Sequence, residues 1–395
     1  MLGGLGVPII LGLVNLSGPV SADLDFSPVE SLLADAVRRK AFPGCAAVVG
    51  TGEKVLFARA FGSLWYEGGP PAATRTVYDL ASLTKVVGTT SVAVALVRDG
   101  KLALGERVSA YVSEFRGGGR EDVTVEHLLA HTSGLPSWRP LYRESKGYGE
   151  LLAKVLETPL ERRPGEAAVY SDLGFILLGE VLARAGGAPL EELERRLVFE
   201  PLGLRDTTRD PKGLGLERVA PTEVVPIEAA LGAAGGPGGP PAGPGKVAIR
   251  GIVHDENARA AGGKTGHAGL FSTAEDVAAF AREMLRARSG SSSVFPKDVV
   301  LRFTARQGSV AGSSRALGWD TPSSGSSAGS LLSAESFGHT GFTGTSVWID
   351  PERGIYIVLL ANRVYPSRDS PEIARVRREL ADAVALALEG RVRDF

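Results

Sequence analysis

The apolar positions of this chain switch between two periods, and the switches divide it into elements. Val29, Leu32, Leu33, Ala36 and Val37 recur at helical spacing behind Ser27-Pro28, an N-cap and first-turn proline, so Phe26 to Lys40 is predicted as a helix. Two runs of strand character follow, Cys45–Gly50 and Lys54–Gly62, split by the turn Thr51-Gly52-Glu53. Leu80 to Arg98 is apolar on nearly every side, which predicts a buried helix that stops at Asp99-Gly100. Helical patterns then dominate from Leu102 to Arg209. Leu231 to Gly245 is Gly/Pro/Ala-rich and predicts a flexible surface insertion. Thr273–Arg286 reads as a helix with a threonine cap, Thr345–Ile349 and Ile355–Ala361 as strands, and Pro371 to Leu388 as a last helix.

This order is not the strict alternation of a doubly wound sheet. It predicts an α/β unit made from residues 23–100 and 300–395, interrupted by a mainly helical unit at 101–299 that carries the 231–245 insertion. The 395 residues, 44% hydrophobic and 23% charged, suffice for a large core. A net charge of -1 offers no grip on nucleic acid or an anionic membrane. The single cysteine, Cys45, lies in strand sequence and is expected to be a buried structural thiol. Val7 to Leu16 is apolar and Val20-Ser21-Ala22 resembles a small-residue cleavage site. Residues 1–22 are therefore expected to be an export signal, placing the protein in an exported or periplasmic setting, with a disordered extension on a cytoplasmic protein as the alternative. The stretch is too short and too broken by Gly and Pro to span a membrane stably.

Three short segments carry candidate chemistry. Ser82 and Lys85 are three apart at the start of the buried helix, so they share a face. A serine hydroxyl needs a base to become nucleophilic, and a lysine buried in apolar surroundings is expected to have a lowered pKa that suits it to the task. Tyr170-Ser171-Asp172 precedes another apolar helix, and an extended backbone would point the outer two side chains the same way. A cation near Tyr170 would ease its ionisation. Gly338-His339-Thr340-Gly341-Phe342-Thr343-Gly344 has the glycines that let a strand approach a ligand closely.

In this order and at these separations the three segments resemble the serine β-lactamase/penicillin-binding protein superfamily, nearest its class C, D,D-peptidase and family VIII carboxylesterase branch. Phe42-Pro43-Gly44, His131 to Pro136, Gly269 to Thr273, Leu317-Gly318-Trp319 and Trp348 to Pro351 extend the resemblance over nearly the whole chain after Phe26. The resemblance implies an antiparallel sheet flanked by helices with an inserted helical domain, a site between the two, and no metal or cofactor. It implies that Ser82 is acylated, Lys85 activates it and Tyr170 shuttles protons. It places Asp172, His339, Thr340, Gly341 and Phe342 on the substrate, with the N–H groups of Ser82 and Phe342 as the oxyanion hole.

Two positions depart from the pattern. Asp172 replaces an Asn that donates to a substrate amide, and His339 replaces the Lys of Lys-Thr-Gly. Both weaken the case for efficient β-lactam hydrolysis. The expected function is a serine hydrolase cleaving a carboxylic ester or an amide, as an esterase on a small-molecule ester or as an amidase or carboxypeptidase on a cell-wall peptide or muropeptide. The alternatives are a penicillin-binding sensor with slow turnover and a true β-lactamase. Val253 to Ala258 resembles a bacterial subgroup tied to muropeptide turnover.

Two look-alikes are set aside. Gly263-Lys264-Thr265-Gly266 contains a literal Lys-Thr-Gly but leads into a helix, not a second strand. His127 and His131 are four apart without the glutamate of a hydrolytic zinc motif, so packing and loop anchoring are expected of them. An approach of His254, Asp255 and His267 to one another, to bind a metal or to rim the pocket, is kept only as a lesser alternative. Oligomeric state is not legible in the sequence.

Overall fold

The computed structural model describes residues 24–230, 240 and 242–389. The expected export segment at 1–22 and most of the 231–245 insertion lie outside the described residues. Six helices bear on the site: α1 (Ser27–Arg38), α2 (Ser91–Arg98), α3 (Asp172–Gly186), α4 (Glu256–Ala260), α5 (Ala274–Ser289) and α6 (Ile373–Glu389). The strands are β1 (Gly44–Thr51), β2 (Val55–Gly62), β3 (Tyr78–Asp79), β4 (Val224–Pro226), β5 (Lys246–Ala248), β6 (Phe271–Ser272), β7 (Phe337–Thr340), β8 (Ser346–Asp350) and β9 (Ile355–Ala361).

Five strands form one antiparallel sheet in the order β2-β1-β9-β8-β7. The terminal segments thus meet at its centre, where Cys45 pairs with Ala361 and Val48 with Val358. Successive side chains of a strand point to opposite faces. Cys45, Ala47 and Val49 pack with Val29, Leu33 and Ala36 of α1 and with Val376, Leu380 and Val384 of α6. Ala46 and Val48 join a larger core with Phe280 of α5 and the helices of the intervening segment. Burial on both faces explains why β1 reads as an unbroken apolar run. Cys45 is buried, as expected, and burial pushes its thiol pKa well up, which makes it inert as a nucleophile.

The structure moves some expected boundaries. Ser27 is not the cap of α1; the helix begins at Ser27 itself, and Asp25 Oδ1 accepts from its N–H at 2.9 Å. By chain order α5 falls within 101–299, yet it packs on β1, β8 and β9. A sheet needs apolar cover on both faces, and α5 supplies the second cover, so the α/β unit starts again before residue 300. Thr273 caps α5 as expected, accepting from Asp276 N–H. Among the described residues no single helix is long and apolar enough to cross a membrane.

The hairpin β7–β8 sets one wall of the site, and its packing depends on a missing side chain. A Cβ on Gly338 would stand 2.4 Å from the Trp348 ring and 2.4 Å from the Val347 carbonyl oxygen. Gly338→Val is expected to cost about 1–3 kcal/mol or more through overpacking. Thermal unfolding followed by circular dichroism checks this, and an unchanged midpoint would contradict the packing described.

Candidate active site

Ser82 sits in a single turn of tight helix, Ala81–Leu83, which runs on into a wider π-type turn, Lys85–Thr90, and then α2. The residue before it, Ala81, holds φ at +47°, a left-handed conformation that is strained for a residue with a side chain. Five contacts hold the strain in place. Asp79 Oδ1 accepts from Ala81 N–H at 2.8 Å and its Oδ2 from His254 N–H at 2.6 Å. Leu80 N–H donates to Leu270 O at 2.9 Å. From the turn after β7, Thr343 Oγ1 donates to Asp79 O at 2.7 Å and Thr345 Oγ1 to Leu80 O at 2.9 Å. Asp79 is fully buried, and burial works to raise its pKa against these hydrogen bonds. Gly341 is required here as well, because a Cβ would meet Thr345 Oγ1 at 2.1 Å and Leu80 O at 2.4 Å.

Lys85 is wholly buried, and all three protons of its ammonium group find acceptors. They are Ser82 Oγ at 3.2 Å, Asp172 Oδ1 at 2.7 Å and His267 O at 2.9 Å. The sequence led to a lowered lysine pKa. The structure reverses that: burial does disfavour the charge, but the Asp172 carboxylate and Tyr170 outweigh it and hold Lys85 above its ordinary value. Leaving one member of such a buried pair alone costs about 3–5 kcal/mol.

Tyr170 is also shifted against expectation. Burial raises its pKa first, and the Asp172 charge adds to this. Lys85 and the contacts with Lys85 and Ser82 pull the other way without prevailing. The Lys85 ammonium lies 4.9 Å from the Tyr170 ring centroid, and the Arg315 guanidinium lies 5.2 Å from it. The His131 ring lies tilted against the same ring at 4.5 Å and accepts from Ser171 N–H through Nδ1 at 3.0 Å. Burial, with Arg315 and Lys85 nearby, drives the His131 pKa well down, so it is a neutral ring. Ser171, not Asp172, caps α3: its hydroxyl accepts from Gly174 N–H and donates to Pro136 O. That leaves Asp172, the first residue of α3, to turn toward Lys85.

His339 and Thr340 end β7, which is followed by a second strand as the motif reading requires. Burial first, then the Lys85 and Arg315 charges, lower the His339 pKa well below its usual value. A neutral His339 does not supply the cation that the replaced lysine would. Three guanidinium groups line the same lobe as His339. Ser82, Tyr170, His339 and Thr340 share a lobe of about 350 Å³ with Arg315, Arg363 and Arg377. Arg377, from α6, donates to Gly341 O at 2.7 Å and Thr345 O at 2.6 Å, which fixes the turn that bears Phe342. The three arginines come from separate segments without local motifs, which is why sequence reasoning missed them.

Ser82 also opens onto a second lobe of about 380 Å³. Its walls include Trp138, Asp172, Asp255, Glu256 and the exposed ring of Phe342. His254 stacks on Phe342 at 5.7 Å and bonds Glu223 through Nε2 at 3.0 Å. His267 Nε2 bonds Asp255 Oδ1 at 2.8 Å, and His267 beside it holds the Asp255 pKa down despite burial. Asp172, Asp255 and His267 bring one potential ligand atom each within 4.8 Å of one another. The Lys85 ammonium already occupies Asp172, so a metal there would face a fixed positive charge, and the group does not fit one. Of the look-alikes, Lys264 pairs with Glu191 at 2.8 Å and lines neither lobe. His127 closes a capping box with Thr124.

Against this geometry, the sequence profile of the Beta-lactamase family matches residues 29–382. The chain belongs to that family. It is a serine hydrolase with the β-lactamase/penicillin-binding protein fold. It is 34% identical to the N-acetylmuramyl-L-alanine amidase of Bacillus subtilis (strain 168) over 84% of this chain and 79% of that protein. It is 31% identical to a protein of Escherichia coli (strain K12) provisionally named as a D-alanyl-D-alanine carboxypeptidase, over 79% and 74%. The fold is similar to that of EstCE1, a hydrolase with promiscuous acyltransferase activity, with a TM-score of 0.70 at 21% identity over 91% of this chain and 97% of that one. It is similar as well to the octameric penicillin-binding protein homologue from Pyrococcus abyssi, with a TM-score of 0.68 at 21% identity over 92% and 78%.

In this β-lactamase-family hydrolase one carboxylate raises the pKa of both Lys85 and Tyr170. Asp172→Asn keeps the shape and removes the charge, so the pair should release a proton at lower pH. The rising limb of the pH–rate profile is expected to move to lower pH in Asp172→Asn. An unmoved limb, or one moved upward, would contradict the coupling.

Proposed function

We propose that this hydrolase is an amidase or carboxypeptidase acting on peptides derived from the cell wall, through an acyl-enzyme on Ser82. The observation that carries this is the guanidinium-lined lobe beside Ser82, where Arg315, Arg363 and Arg377 face a single carboxylate, Asp320. Such a lobe suits the carboxylate of a peptide, which a simple neutral ester lacks. The names of the Bacillus subtilis and Escherichia coli relatives support the same bond class. A muropeptide would also place a sugar against Trp138 and Phe342 in the second lobe.

In the proposed mechanism the resting site holds Lys85 as an ammonium and Tyr170 as a phenol. Loss of one proton from this coupled pair creates the base. Ser82 Oγ then transfers its proton to the Tyr170 oxygen and attacks the scissile carbonyl carbon. The oxyanion is received by the N–H groups of Ser82 and Phe342, each such donor being worth about 2.7–4 kcal/mol in the transition state. Tyr170 passes the proton to the departing amine, the C–N bond breaks and the acyl group stays on Ser82. Water enters, gives a proton to Tyr170 and attacks the ester; Ser82 leaves with that proton. Lys85 stays charged near Ser82 throughout and stabilises the developing negative charge.

Side-by-side turnover of an N-acetylmuramyl dipeptide, a D-Ala-D-Ala peptide, a p-nitrophenyl ester and nitrocefin, with intact-protein mass spectrometry, tests this reading. Peptide cleavage is expected to exceed that of the other two. It should fall roughly 10⁴–10⁶-fold in Ser82→Ala and about 10²–10⁴-fold in Tyr170→Phe. A lasting penicilloyl adduct without turnover of any substrate would make the chain a sensor instead. Ester cleavage without peptide cleavage would make it an esterase.

A further inference from the structure

A charged cavity outside the cleft lies behind one of its walls. The segment from Gly262 to Ala268 separates the two: Gly262, Gly263 and Lys264 face a cavity of about 630 Å³, while His267 and Ala268 face the lobe beside Ser82. A volume of this size is within the usual range for a small-molecule site, about 300–1,000 Å³.

Its charges do not cancel. Five basic residues line it against three carboxylates. Arg209 and Glu194 satisfy each other in a buried two-pronged pair, both bonds at 2.7 Å. Lys264 is matched by Glu191, and the Asp210 carboxylate is turned to the Lys212 backbone N–H. Arg195 pairs with Glu200. Two cations remain. The Lys212 side chain is exposed and has no acidic partner among the described residues. Arg259, on α4, is only 9% exposed, yet its Nε and Nη1 have no partner at all. Its single bond runs from Nη2 to the His254 carbonyl oxygen at 3.3 Å. The carboxylates of Glu256, Asp255 and Asp79 favour its charge from beyond ion-pair distance, but two buried guanidinium nitrogens without a partner are costly and leave room for a directly bonded anion.

We propose that this cavity is a second binding site, separate from the Ser82 cleft, for a small organic anion bearing one carboxylate or phosphate group. Arg259 and Lys212 supply the positive charge, and Phe199, Ile252 and Val253 give the body of the ligand an apolar wall. The site stands back to back with the catalytic cleft, because α4 belongs to both: Arg259 faces the cavity, while Asp255 and Glu256 at its start face the cleft.

The test is calorimetric titration of the full chain with inorganic phosphate and with citrate at constant ionic strength. At least one probe should bind saturably at one site. Arg259→Gln should weaken that binding about tenfold, which is about 1.4 kcal/mol, and Lys212→Gln several-fold. Arg315→Gln, in the catalytic lobe, should leave it unchanged. Lys212 is exposed and its substitution leaves the core alone, so it decides the matter if Arg259→Gln does not fold. No saturable binding of either probe would overturn the proposal, as would binding that is lost in Arg315→Gln and untouched by Lys212→Gln.

Discussion

The Lys85–Asp172 ion pair is the interaction on which the rest of the site depends. A lysine with no exposed surface is tolerable only because a carboxylate stands 2.7 Å away and two oxygens take its other protons. That arrangement fixes the first turn of α3 against the start of the Ser82 helix. It also decides the resting protonation state. With Asp172 ionised beside them, both Lys85 and Tyr170 keep their protons more tightly than free side chains do. Replacing the usual Asn by Asp thus changes the acid–base chemistry of the site as well as its hydrogen-bond donors.

The second constraint is steric. Ser82 is presented by a strained turn at Ala81, and the strain is held from three directions: Asp79, the Leu270 segment and the threonines after β7. The turn carrying Phe342 can come this close only because Gly341 lacks a side chain. Arg377 then ties that turn to α6. One set of contacts therefore aligns Ser82, the proposed nucleophile, with the strand that faces it, and the same contacts divide the cleft into a guanidinium-lined lobe and a lobe walled by Trp138, Phe342 and carboxylates.

The sequence carried the parts of this site that are local. Ser82 and Lys85 are legible because i and i+3 share a helix face, and β7 because glycines bracket a short strand followed by another. The antiparallel sheet and its helical insertion followed from the order of elements together with the family resemblance. What failed was whatever depends on distance in the chain. The Lys85 pKa was misjudged because its controlling partner lies 87 residues away and another acceptor is the main chain of His267. Arg315, Arg363 and Arg377 were invisible because no motif joins them. The capping role of Ser171 was not legible because it depends on a backbone angle that composition does not report. The packing of α5 on the sheet was missed because chain order says nothing about which face needs covering.

Lys85 rests as a fully paired ammonium. The most direct measurement is an NMR pH titration of the Lys85 side chain, labelled at Cε and assigned by comparison with Lys85→Arg. The resonance should keep its ammonium shift past the ordinary lysine value of about 10.4. Titration below that value would contradict the account and return Lys85 to the role of a neutral base.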